Sequence, residues 1–136
     1  MCHALFLGSS APLPLVSYPD VVWFGVEALC ERHEAIRLHF PPDWHVYYLN
    51  SHEGCGCGFH ADEQFPDEDE SYDEESRSHL IAYLRAAKAD PAVAIALYDC
   101  WEGDQKAPIL TRIEATVDEL AARPDPVPEG TWVTVT

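Results

Sequence analysis

Basic residues are scarce in this chain. Eight lysines and arginines stand against 24 aspartates and glutamates, a formal charge of −16 at pH 7. Affinity for nucleic acid comes largely from cations that neutralise phosphates, and an anionic membrane surface repels a protein of this sign. Neither partner is expected. Long hydrophobic runs are missing too: no stretch approaches the ~18 apolar residues of a membrane span. The opening residues, Met1 to Leu7, are apolar but too short for the core of a secretory signal, and no basic residues precede them. The expected compartment is therefore the cytoplasm. The chain also lacks a P-loop, a dinucleotide glycine fingerprint, a G-x-S-x-G elbow and an H-E-x-x-H helix, which counts against the enzymes built on them.

What is present suits one globular domain spanning 1–136. That length can bury roughly two thirds of the surface its unfolded chain exposes. A hydrophobic fraction of 47 % with 24 % charged residues argues against disorder of the whole chain.

Apolar patterning predicts the elements. Ala4 to Leu7 is a short apolar run closed by Gly8-Ser9-Ser10 and reads as a buried strand. The proline-rich stretch from Ala11 to Pro19 reads as a loop, because proline removes a backbone donor and restricts φ. Val21 to Leu29 fits strand or helix, since period does not separate the two in short apolar runs. Ile36, Leu38 and Phe40 alternate with Arg37 and His39, which predicts a half-buried strand. His45 to Leu49, β-branched and aromatic, reads as its hairpin partner across Pro41-Pro42-Asp43.

Beyond an acidic loop over 61–75, Leu80, Ile81, Leu84 and Ala87 mark one face of a helix from Ser78 to Ala89. Val93 to Tyr98 reads as a central strand buried on both faces. Ile113, Ala115 and Val117 alternate as in a strand, while Thr116 and Glu119 have the spacing of a capping box for a short helix. Trp132 to Val135 reads as the last strand. Together these features predict an α+β fold with a mostly antiparallel or mixed sheet of five to six strands, one main helix and a short C-terminal helix.

The segment that points to chemistry is Gly54-Cys55-Gly56-Cys57-Gly58, with His52 before it and His60 after it. An odd number of cysteines, five, in a reducing compartment reads as thiols or metal ligands rather than a disulfide framework. Thiolate and imidazole are ligands of Zn(II), and thiolate suits Cu(I). Glycines allow tight turns and expose backbone N–H groups that stabilise a thiolate. Cys100 ends the predicted central strand and joins Cys55 and Cys57 if Tyr48 and Tyr98 lie on neighbouring strands. A set of Cys55, Cys57, Cys100 and His52 would supply four ligands for tetrahedral zinc, with copper the alternative; Cys2, opening the first strand, is a further approach.

Two other readings use the same residues differently. In one, Cys55 and Cys57 are a redox pair, whose i,i+2 disulfide would be strained and labile. In the other the turn has no chemistry and the acidic loop docks a basic protein partner. The acidic run does not fit a calcium loop: counted from Asp67, Tyr72 stands where the turn glycine belongs and Ser78 where the bidentate glutamate belongs. Cys30, beside Leu29 and away from any ligand cluster, reads as a buried small hydrophobe. His33, His39 and His79 show no partner pattern. Trp101 is placed to wall a site, and Asp99, Glu102 and Glu53 to orient a histidine.

Overall fold

Strand pairing organises this chain around its first segment. The computed structural model describes residues 3–17, 21, 23–51, 56, 59, 70–123 and 125–136, with 70–73 described by backbone alone. Strand β1, His3–Ser9, is apolar on both faces and lies in the middle of the sheet. It pairs antiparallel with β3, His45–Asn50, on one side and with β4, Ile95–Trp101, on the other. Strand β2, Gly25–Ala28, extends the sheet beyond β3. On the far side, β6, Thr131–Val135, pairs antiparallel with β4, and β5, Thr111–Ala115, pairs parallel with β6. The order is β2-β3-β1-β4-β6-β5, a six-stranded mixed sheet among the described residues. With its two α-helices the fold is α+β.

Side chains alternate across the sheet and build two cores. Leu5, Leu7, Leu49, Leu97 and Val133 point to one face, where helix α1, Glu70–Ala87, covers them with Leu80 and Leu84. Helix α2, Val117–Ala121, adds Leu120. Ala4, Phe6, Tyr48, Tyr98, Cys100 and Trp132 point to the other face and meet Ile36 and Phe40. Burial on both faces is why β1 and β4 read as unbroken apolar runs.

Three expectations are corrected. Residues 36–40 are not a strand paired with β3: a 3-10 helix spans Glu31–His39. Its period of three puts His33, Ile36 and His39 on one side. His33 and Ile36 are buried, whereas Leu38, expected to face inward, is 60 % exposed. The partner of β3 on that side is β2, so the ambiguous segment before Leu29 is a strand. Helix α1 starts at Glu70 rather than Ser78, taking in the end of the acidic run, where carboxylates favour the positive end of the helix dipole. Val117 opens α2 instead of continuing β5. The capping box decides this: Glu119 N–H donates to Thr116 Oγ1 at 3.1 Å, and Thr116 N–H to Glu119 Oε1 at 3.2 Å.

Candidate functional site

Antiparallel pairing brings the start of β1 and the ends of β3 and β4 to one edge of the molecule. His3 lies opposite Trp101, Ala4 opposite Cys100, and Leu5 between Leu49 and Asp99. Tyr48 and Tyr98 are therefore not on neighbouring strands; each pairs with Phe6, from opposite sides.

His3, Asp99 and Trp101 share the face that carries α1. His3 Nδ1 is 2.9 Å from Asp99 Oδ1, and its ring stacks on Trp101 with centroids 4.2 Å apart and planes at 25°. Asp99 is fully buried. A buried carboxylate is costly unless paired, and a carboxylate can only accept, so the bond assigns the shared proton to Nδ1. That fixes both ring orientation and tautomer. This is the carboxylate–histidine arrangement that orients metal-binding imidazoles.

Gly56, the described residue of the glycine-rich segment, meets this edge. Gly56 N–H donates to the carbonyl of His3 at 3.3 Å. A Cβ on Gly56 would stand 3.0 Å from the His3 carbonyl oxygen and 3.3 Å from Leu5 N. Any other residue would make the β1 backbone give by a few tenths of an ångström, so glycine is favoured by close approach to β1, not by a positive φ. Phe59 N–H donates to Gly56 O at 3.3 Å, and the Phe59 ring is buried in the helix-side core against Phe24. The run is tied to β1 at Gly56 and to the core at Phe59. His52, Cys55 and Cys57, like Cys2 and most of the acidic loop, lie outside the described residues.

Cys100 faces the opposite layer, buried among the residues of the second core. Burial, followed by the negative charges of Asp99 and Glu102, pushes its thiol up to about 12. At pH 8 its thiolate fraction is then on the order of one part in ten thousand. Iodoacetamide added to the native protein is expected to spare Cys100 while modifying Cys30. Equal labelling of the two in a peptide map would show Cys100 to be open to solvent.

Cys30 departs from expectation. It is exposed, and its sulfur stands 3.3 Å from Nδ1 of His33. His33 is buried and reaches Glu102 on its other side. The Cys-x-x-His spacing was visible in the sequence; Glu102, far along the chain, was not connected to it by any local pattern. His3 gave no signal either.

No protein-family model, curated protein or solved structure matches this chain. Among the described residues no group of three or more His, Cys, Asp or Glu side chains is arranged to hold a metal ion. None of the helices searched there is long and apolar enough to cross a membrane.

Proposed function

We propose that the protein binds a thiophilic metal at the sheet edge, Zn(II) first and Cu(I) second. Cys55 and Cys57 are the core ligands, and His3, His52 and Cys100 are the side chains from which the remaining ligands come. The observation that carries this reading is the bond from Gly56 N–H to the His3 carbonyl. It ties the residue between the two cysteines to the backbone of a histidine whose ring is already held by a buried aspartate. Bound metal would supply folding free energy as well as chemistry, because thiolates and imidazole drawn from distant segments are brought together only in the folded chain.

Elemental analysis of protein purified without a metal-affinity tag tests the proposal. Near-stoichiometric zinc or copper is expected, lost in the Cys55→Ser/Cys57→Ser double variant. Loss of metal in His3→Gln with retention in Cys100→Ser would put the centre on the α1 face; the reverse would put it on the opposite face. Metal-free protein that also fails to take up zinc or Cu(I) under reducing conditions would sink the proposal. Rapid alkylation of Cys55 or Cys57 would then favour the redox pair, and inert thiols a plain structural turn.

A further inference from the structure

We propose that Cys30, His33 and Glu102 form a nucleophilic site that takes an acyl group from an ester or thioester onto the Cys30 sulfur. The three residues lie on the face opposite His3 and Asp99, and none of them is among the proposed metal ligands.

The 3-10 helix places the thiol and the base. Cys30 caps its N-terminus, and His33 N–H donates to the Cys30 carbonyl at 3.0 Å, closing the first turn. That turn sets Cys30 Sγ 3.3 Å from His33 Nδ1. The sheet holds the ring. His33 stacks on Tyr48 with centroids 4.5 Å apart and planes at 25°, and meets Phe6 edge-on at 5.3 Å.

On the far side of the imidazole, Nε2 is 2.5 Å from Glu102 Oε1. A carboxylate only accepts, so the proton there belongs to Nε2. Nδ1 then carries the lone pair that accepts the thiol proton. Arg32 Nε, 3.7 Å from the same carboxylate oxygen, adds a positive charge to the group. The thiol is exposed while the base behind it is buried. This is the disposition a nucleophile and its base require: an attacking atom open to substrate and a base shielded from water.

Two further features point to a ligand. The opening N–H groups of the 3-10 helix, next to the sulfur, have no acceptor within the helix. They are donors for the oxyanion that forms on a carbonyl under attack. The second carboxylate oxygen of Glu102, Oε2, is buried and has no hydrogen-bond partner. Buried polar atoms in this state are uncommon in folded proteins.

The chemistry balances without a co-oxidant. Cys30 gives its proton to His33 as the sulfur attacks the carbonyl carbon. The C–S bond forms, the bond to the leaving oxygen or sulfur breaks, and the leaving group departs with the electron pair, taking the proton from His33; where it leaves as an anion such as nitrophenolate, His33 gives that proton to solvent instead. Water then attacks the thioester, His33 takes its proton, and the C–S bond breaks to give a carboxylic acid and the free thiol. Glu102 acts through His33 as a positioning residue.

p-Nitrophenyl acetate is the probe. Wild-type protein is expected to release nitrophenolate with an acetyl adduct on the peptide carrying Cys30, and Cys30→Ser to lose that adduct. His33→Ala is expected to slow acetylation of Cys30 by about 100-fold, with added imidazole restoring part of the rate through the space the ring vacates. Glu102→Gln, which keeps the side chain's size, is expected to slow it about tenfold and to have no further effect in the His33→Ala background. A structural role for Glu102 would instead slow both backgrounds alike. Acetylation of Cys30 at the wild-type rate in both single variants, or an adduct confined to other cysteines, would overturn the proposal.

Discussion

Replacing His3 by leucine is expected to destabilise the metal-free protein by about 1.5–3 kcal/mol, the usual worth of a hydrogen bond to a charged group. Asp99 is fully buried on the face that carries Leu5 and Leu97, with His3 Nδ1 2.9 Å from its carboxylate. Leucine keeps the volume and takes away the imidazole. The matching double variant, His3→Leu/Asp99→Leu, replaces the whole pair by apolar groups. It should return to within about 1 kcal/mol of wild type or exceed it, because donor and acceptor are removed together.

Urea unfolding of the three proteins checks both statements. A single-variant loss below about 1 kcal/mol would mean that His3 does not hold Asp99 in the fold. The same pair separates stability from function. Asp99→Asn retains the shape and is expected to weaken metal binding 10–100-fold, the range found when a group orienting a metal-binding histidine is removed. An affinity unchanged in Asp99→Asn would remove His3 from the ligand set.

Phe6→Ala is expected to cost about 3–5 kcal/mol. Phe6 is fully buried at the middle of the central strand, flanked in register by Tyr48 and Tyr98. Those aromatic neighbours are carried by paired strands and cannot collapse into the space the ring leaves. Phe6→Leu, nearer in volume, should cost less than about 1.5 kcal/mol. The variant also reaches the thiol site, because the Phe6 ring touches His33 edge-on at 5.3 Å. Loss of that contact loosens the imidazole and should slow Cys30 acetylation in folded Phe6→Ala. Denaturation midpoints and acetylation rates, measured on the same samples below the unfolding transition, test the two effects together. A Phe6→Ala protein as stable as Phe6→Leu would show that the second core tolerates a void at its centre.

Much of the fold is legible in local pattern. The apolar runs at 4–7 and 93–98 announce strands buried on both faces; the buried polar residues of those strands, Ser9 and Asp99, fall outside the two runs. The amphipathic spacing around Leu80 and Leu84 and the capping box at Thr116 and Glu119 are short-range signals and identify their helices. The misreading at 36–40 has a physical cause. Ile36 and Phe40 are buried in both interpretations, so the difference between period two and period three rests on Leu38, which faces solvent, and His39, which turns in to Tyr98 and the Gln105 carbonyl.

The chain itself determined that two thiols and three glycines stand together at 54–58, that a thiol precedes a histidine by three residues at Cys30 and His33, and that the surface is strongly acidic. Those are properties of spacing and composition. Tertiary structure alone decided that β1 inserts between β3 and β4, because strand order depends on which faces can be covered once α1 and the 3-10 helix are in place. From that insertion follow the meeting of His3 with Asp99, of Gly56 with the start of β1, and of His33 with Glu102. Hydrogen bonds between residues so far apart leave no periodic trace in a sequence. They are set by the register of strands, and register is a property of the whole sheet.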